Sequence, residues 1–122
     1  MHYTVRTAAE SESTTIEEPW GRLRWLASAP IGNAEGVTVG HVVIKAGQAN
    51  PRHSHTTCEE VLVLLRGRLR HSMGGETVAL EAGDTLTVAA GVVHHAVNVG
   101  DEDAEMIVAY SSGVRDFVPE AG

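Results

Sequence analysis

Apolar and polar residues alternate over short stretches of this chain, and no stretch repeats apolar residues at the helical period of 3.6. Residues 22–26 (RLRWL) alternate, which suits a half-buried strand, whereas residues 60–65 (EVLVLL) are almost wholly apolar, which suits a strand buried on both sides. Glycine-bearing turns separate most of the stretches. The pattern predicts an antiparallel sandwich or barrel. The predicted strands are 22–26, 37–45, the segment around 53–55, 60–65, 68–73, 76–80, 85–90, 94–99 and 105–110.

The two ends of the chain carry weaker patterns. Residues 7–13 (TAAESES) are polar and acidic, and we expect a loop or a loosely held arm there. Residues 111–122 have no clear period and could hold a short turn of helix. We therefore divide the chain into an N-terminal arm, which could contribute an edge strand, a barrel and a C-terminal tail. The three parts are 1–19, 20–118 and 119–122.

Composition narrows the class of protein. A chain of 122 residues, 43% hydrophobic and 20% charged, is one globular domain of ordinary size. A net charge of −7 argues against a nucleic-acid partner, which needs clustered Lys and Arg. The single cysteine, Cys58, cannot form an internal disulfide and indicates a reducing compartment. With no apolar run long enough to cross a bilayer and no secretory signal pattern, we expect a cytoplasmic protein without a membrane partner.

Candidate chemistry is concentrated in residues 47–67 (GQANPRHSHTTCEEVLVLLRG). His53 and His55 are two residues apart, so an extended strand places both imidazoles on one face. Two imidazoles and a carboxylate suit a divalent first-row metal, and both Glu59 and Glu60 follow closely. Glu60 lies five residues past His55, so we expect a turn or bulge across 56–58 to bring it to the same face.

Two blocks of the sequence resemble the two motifs of the cupin superfamily. The first is Gly47, five residues, His53-x-His55, four residues, Glu60, six residues and Gly67. The second is Gly83, five residues, Ala89-x-Gly91, two residues, His94, three residues and Asn98. The chain departs from the family once, with Ala89 where proline is usual, which affects only the rigidity of that turn. The short stretch between the blocks is similar to that of small single-domain cupins.

The resemblance implies an all-β fold, a single small jelly-roll β-barrel, with a metal held inside it. The implied ligands are His53, His55, Glu60 and His94. The spacing to Gly67 favours Glu60 over Glu59. Three imidazoles and one carboxylate leave two positions of an octahedral ion open for water, dioxygen or a chelating substrate. We expect one divalent transition metal ion per chain, and Fe, Mn, Ni, Co, Cu and Zn all tolerate this set.

We expect structural roles for the other polar residues. Strand parity turns His95 away from His94, so we expect packing for it, and we expect Asn98 to brace its strand. Cys58 is predicted to be buried and inert. His71 is a candidate to line the cavity. Arg66, Arg68 and Arg70 are predicted to share one solvated strand face.

Three functions fit this site. We favour a metal-dependent enzyme acting on a small organic molecule, with dioxygenase-type oxidoreductase chemistry. The first alternative is a redox-neutral isomerase or lyase acting on a sugar or a small hydroxy or keto acid, and the second is a non-catalytic metal-dependent binder. An acid substrate would call for a cation inside the barrel, but parity turns Arg52 away from the His53 face.

Few aromatic rings could form a substrate platform, and we assign them core or interface packing. They are Trp20, Trp25, Tyr110 and Phe117. We also expect a homodimer, because small barrels of this class resemble proteins that pair by sheet augmentation.

Overall fold

The computed structural model describes residues 2–121; residues 1 and 122, where the predicted arm begins and the predicted tail ends, lie outside the described residues. Eleven β-strands in two antiparallel sheets form nearly all of the regular structure, which confirms the predicted all-β barrel. The strands are β1 (Thr15–Glu18), β2 (Gly21–Ala27), β3 (Thr38–Ile44), β4 (His53–Ser54), β5 (Glu60–Arg66), β6 (Arg68–Met73), β7 (Glu76–Glu81), β8 (Thr85–Val88), β9 (His94–Asn98), β10 (Ala104–Tyr110) and β11 (Val118–Pro119).

The two sheets face each other across a single core. The six-stranded sheet has the order β1-β2-β3-β10-β5-β8, and the five-stranded sheet has the order β11-β4-β9-β6-β7. Strand β10 shows why the chain folds this way, since its residues alternate between fully buried and half-buried positions. Ile44, Leu64 and Leu69 have no exposed surface and anchor the core from strands of both sheets. Because the core fixes how the strands pair, it also fixes the positions of the polar cluster described below.

Strand β5 is not buried on both sides, as its apolar sequence had suggested. Leu62 and Leu64 are buried, but Val61 and Val63 on the other face are only half-buried, and Leu65 is 50% exposed. This face of β5 points away from the core between the two sheets, so its apolar residues stay partly open to solvent. The prediction was wrong because composition does not tell which face of a sheet is covered.

A short helical segment replaces the predicted N-terminal loop. Helix α1 spans Ala8–Ser11 and is followed by a 3-10 turn over Glu12–Thr14. Thr7 and Glu10 form a reciprocal capping box, in which the Thr7 hydroxyl accepts from the Glu10 amide and the Glu10 carboxylate accepts from the Thr7 amide. The Thr-x-x-Glu pattern is the sequence signal for this cap.

The three arginines that were expected to share one strand face lie on two strands. Gly67 adopts φ +87 and turns the chain from β5 in one sheet to β6 in the other. A Cβ at this position would lie 2.9 Å from the Ala104 Cα, so the turn also requires glycine for space. Arg66, Arg68 and Arg70 are exposed, as predicted.

Both ends of the described chain are held against the barrel. Strand β1 pairs with β2 at the edge of the larger sheet. Strand β11 pairs with β4, with Val118 opposite Ser54 and Pro119 opposite His53, so the suggested turn of helix in the tail is not formed among the described residues. The three-part division of the chain stays a prediction. No helix within residues 2–121 is long and apolar enough to span a lipid bilayer.

Candidate metal centre

The four residues of the implied ligand set meet between the two sheets. Strands β4 and β9 place His53 directly opposite His94, His55 follows β4, and Glu60 opens β5 of the facing sheet. One nitrogen or oxygen of each side chain lies within 4.8 Å of those of the other three. All four side chains are buried. The donor set, three imidazoles and one carboxylate, suits one divalent transition metal ion.

The backbone fixes the orientation of each of the three imidazoles. Nδ1 of His53 donates to the carbonyl oxygen of Pro51 at 2.6 Å, and Nδ1 of His94 donates to that of Val92 at 2.9 Å. Nδ1 of His55 donates to the carbonyl oxygen of Asp116 at 2.5 Å. A carbonyl oxygen can only accept, so each Nδ1 carries the hydrogen. In the neutral rings Nε2 is therefore left with a lone pair available to a metal.

The protein atoms alone leave this cluster short of positive charge. Nε2 of His94 lies 3.0 Å and Nε2 of His55 lies 3.3 Å from the same carboxylate oxygen, Oε1 of Glu60. Nε2 of His55 has no hydrogen-bond partner among the described residues. If these imidazoles are neutral and carry their hydrogen on Nδ1, each Nε2 is an acceptor that faces another acceptor, the Glu60 oxygen. A proton or a cation must therefore lie between these atoms. A divalent ion would satisfy all of them at once, which is why the residues fit a metal.

The pKa shifts follow from the same contacts. Burial works to raise the pKa of Glu60, but the close contacts of its carboxylate with the His55 and His94 imidazoles outweigh burial and lower that pKa to about 2. Burial opposes protonation of His94, yet its bond to Glu60 raises its pKa above the ordinary value. Burial lowers the pKa of His53 to about 4, which keeps its imidazole neutral near pH 7. Glu60 is thus an anion, and at least one ring can supply its lone pair without first losing a proton.

The expected turn between His55 and Glu60 is present. Thr56 and Thr57 form a bend, and both donate from their backbone amides and hydroxyls to the carboxylate of Asp116. Glu59 is exposed, whereas Glu60 points into the cluster. The bend therefore decides which carboxylate of the pair reaches the imidazoles.

The turn before β9, which contains Ala89, is held by backbone hydrogen bonds. The amide of Gly91 donates to the carbonyl oxygen of His55 at 2.7 Å, and the amide of Val92 donates to that of Ala89 at 3.4 Å. Gly91 adopts φ +84, which a residue with a side chain rarely does. The turn that leads into His94 is therefore held by the backbone of His55, a second member of the cluster.

The bracing role predicted for Asn98 is confirmed. Its side-chain nitrogen donates to the carbonyl oxygens of Ile44 at 2.9 Å and Glu102 at 2.8 Å, and its side-chain oxygen accepts from the amide of Gly100 at 2.9 Å. Only 1% of the residue is exposed. Asn98 joins the end of β9 to β3 and does not belong to the cluster.

The structure places His95, Cys58 and His71 where the sequence analysis expected them. His95 points away from His94 and bonds through Nδ1 to the Ser72 hydroxyl. Cys58 is buried, and burial raises the pKa of its thiol, which keeps the sulfur protonated. His71 lines the cavity beside His94, with a ring separation of 5.6 Å. Neither ring nitrogen of His71 has a partner among the described residues, and burial lowers its pKa to about 4.

A cavity of about 460 Å³ opens over the cluster. His53, Glu60 and His94 contribute to its wall, and most of the remaining wall is apolar. All four aromatic residues assigned to packing by the sequence line it: Trp20, Trp25, Tyr110 and Phe117. The rings therefore belong to the site. Trp25 and Tyr110 reach it from β2 and β10, Trp20 from the turn before β2, and Phe117 from the segment before β11.

The C-terminal segment supplies Phe117, which the sequence analysis assigned to packing, and Arg115, which it missed. The Phe117 ring stacks on His53 at 4.6 Å and 21°. Arg115 lines the cavity, with its guanidinium carbon 4.4 Å from the centre of the Trp25 ring. No local pattern marks this segment, because its position depends on pairing with β4 and on Asp116, far along the chain from their partners.

The geometry agrees with a comparison with known families. A family model described as cupin domain matches residues 40–110, which include the whole cluster. The chain belongs to the cupin family. Germin-like protein 3-8 of Oryza sativa subsp. japonica is 35% identical over 91 residues, covering 70% of this chain and 40% of that protein. Polyketide synthase CurC of Streptomyces cyaneus is 32% identical over 87 residues, covering 71% of this chain and 56% of that protein. This cupin thus spans about half, or less, of the length of these relatives.

Solved structures confirm the barrel fold. Bacillus subtilis oxalate decarboxylase, in a study of its Mn(II) centres, superposes with a TM-score of 0.83 at 20% identity, covering 89% of this chain and 30% of that chain. At this identity the likeness extends to the fold, a cupin jelly roll.

Proposed function

We propose that this cupin is a metal-dependent enzyme that acts on a small organic molecule. The observation that carries the proposal is the set of backbone carbonyls that orient His53, His55 and His94 toward Glu60 at the wall of a cavity. These four residues would hold one divalent ion. Manganese is the first candidate, because the oxalate decarboxylase of similar fold contains Mn(II) centres. Iron tolerates the same donor set.

The bound ion would supply a Lewis acid with open positions for a substrate and a second small molecule. The chain's own residues prepare the rest of the site. The carboxylate of Glu60 would offset part of the charge of a bound ion, and the apolar wall would limit the access of water to it. The His71 imidazole has no hydrogen-bond partner among residues 2–121, so it can donate to or accept from a substrate atom beside His94.

The size of the cavity supports a substrate larger than oxalate. Oxalate has only six heavy atoms, all polar or attached to oxygen, and would leave most of a 460 Å³ apolar cavity unfilled. The similarity to a protein named polyketide synthase supports an apolar carbon skeleton instead. We therefore propose a substrate with a metal-chelating end and an apolar body.

Dioxygenase-type oxidation is the reaction we propose first, because two open positions on the ion could accept a chelating substrate and dioxygen together. The redox-neutral alternative gains support from Arg115, which is a cation in the cavity of the kind that an acid substrate would need. A non-catalytic binder would need the same cluster and cavity but would bind its ligand without forming a product.

The test is turnover of a panel of chelating apolar compounds by protein loaded with Fe(II) or Mn(II), followed with an oxygen electrode and by mass spectrometry. Oxygen uptake that matches product formation supports dioxygenase chemistry, and product formed without oxygen supports the redox-neutral enzyme. The matched control is Glu60→Gln, which should abolish either reaction. No product with any compound, despite tight binding, would favour the binder.

We also propose that the protein forms a homodimer. Strand β1 lies at the edge of the larger sheet, and its Ile16 side chain is 47% exposed. An open edge with an exposed apolar residue is a site for sheet augmentation. Light scattering at micromolar concentration should give twice the chain mass, and a monomer mass would refute the dimer.

A further inference from the structure

The cavity contains one arginine whose charge is not neutralised by the protein. Among the described residues, Arg115 is the one arginine or lysine that lines the cavity, and it forms no ion pair or hydrogen bond with them. The carboxylates close to Arg115 in the chain or on the cavity wall do not pair with it. Asp116 accepts four hydrogen bonds from Thr56 and Thr57, and Glu60 faces the imidazoles. Glu18 lines the cavity but is not paired with Arg115.

Aromatic rings hold the guanidinium in place. Its central carbon lies 4.4 Å from the ring centre of Trp25, 5.3 Å from that of Tyr110 and 5.6 Å from that of Phe117. Stacking on a ring uses the face of a guanidinium and leaves its N–H edge free. A fixed guanidinium with free N–H groups in an apolar cavity is suited to a bidentate bond with a carboxylate.

The distance between Arg115 and the cluster is set by the same rings. Phe117 contacts Arg115 and stacks on His53, and Tyr110 contacts Arg115 and packs against His55 at 4.8 Å. Each of these two rings therefore contacts both the guanidinium and an imidazole of the cluster. A planar ring with a carboxylate at one end and chelating atoms at the other has the shape to span the same two groups.

We propose that Arg115 binds the carboxylate of the substrate, and that the substrate is a planar, apolar organic acid whose other end chelates the metal. This assignment rests on the proposed function, since the chelating end needs the ion. The N–H donors of Arg115 fix the orientation of the acid, and the aromatic rings around the cavity pack against the apolar part of the substrate. Arg115 is therefore a binding residue that selects for acids over neutral analogues.

The test compares two probes that chelate in the same way. Catechol and 3,4-dihydroxybenzoate both offer adjacent hydroxyls, but only the second has a carboxylate across the ring. Binding to metal-loaded protein is measured by isothermal titration calorimetry. The wild type should bind 3,4-dihydroxybenzoate at least about tenfold more tightly than catechol, as expected of a charge-assisted pair. In Arg115→Gln this ratio should fall to about one, and Arg115→Lys should retain part of it.

Arg70→Gln is the matched control, because Arg70 is an exposed arginine on the outer face of β6. It should leave the ratio at the wild-type value. Equal affinity for the two probes in the wild type would overturn the role of Arg115 without any variant having to fold, and would leave the metal-dependent function standing. Failure of the wild type to take up metal, or to bind either probe, would instead refute the proposed function and the role of Arg115 with it.

Discussion

The main-chain carbonyl of Asp116 accepts a hydrogen bond from Nδ1 of His55 at 2.5 Å, across 61 residues of sequence. The same residue binds the bend between His55 and Glu60 through its carboxylate. Asp116 therefore holds two parts of the cluster, one through its backbone and one through its side chain. It also places Arg115 and Phe117, its neighbours in the chain, on the cavity wall.

Asp116→Ala should weaken metal binding. The variant removes the acceptor for Thr56 and Thr57, so the segment that carries the His55 acceptor is no longer anchored. Loss of a group that orients a ligand typically costs about ten- to a hundredfold in metal affinity. Competition with a chromophoric chelator measures the change. Asp101→Asn, a change in an exposed acidic turn, is the control and should bind metal as the wild type does.

Stability at acid pH should depend on Asp116 as well. Hydrogen bonds from the Thr56 hydroxyl and amide, and then from Thr57, hold the pKa of Asp116 well below its usual range. As pH falls, the unfolded chain binds a proton before the folded chain does, so this contribution is complete above about pH 5 and is lost progressively below about pH 4. The urea midpoint of the wild type should therefore drop further between pH 5 and pH 3 than that of Asp116→Asn. Parallel curves would refute the prediction; the lowered pKa of Glu60 is common to both proteins.

Gly40→Ala should disturb the ring beneath Arg115. A Cβ at Gly40 would lie 2.7 Å from the Trp25 ring, so the ring must move. Overpacking of this kind costs about 1–3 kcal/mol of the free energy of unfolding. Chemical denaturation measures the loss, and tryptophan fluorescence reports the displaced ring. The control is Gly36→Ala, where an added Cβ meets nothing within 4 Å. Equal stability of Gly40→Ala and the wild type would mean that the ring can yield without cost.

The parts of this site that lie in local patterns could be predicted from the sequence. His53, His55 and Glu60 are close in the chain, and strand parity with one bend is enough to place them together. The resemblance of the second block to the second cupin motif implied that His94 joins the same cluster, and the structure places it there. Strand bounds followed from alternation and glycine turns, because each strand buries one face.

The parts that depend on distant contacts could not be predicted. Residues 115–117 have no alternation of their own, and their place is decided by pairing with β4 and by bonds to the bend at Thr56. Arg115 was therefore missed, and the search for a cation in the barrel stopped at Arg52, which instead pairs with Glu120 at 3.0 Å. The helix at Ala8–Ser11 was different, since its capping box was visible in the sequence.

The most direct test of the account is metal content per chain, measured by elemental analysis on untagged wild-type protein and on His94→Ala. We predict about one equivalent of a transition metal in the wild type after incubation with Mn(II) or Fe(II), and little in the variant. The matched control is His95→Ala, because His95 is the neighbouring histidine of the same strand, points away from the cluster and should not affect metal content. Full metal content in His94→Ala, or none in the wild type with any divalent ion, would contradict the central claim that this cluster is a metal site.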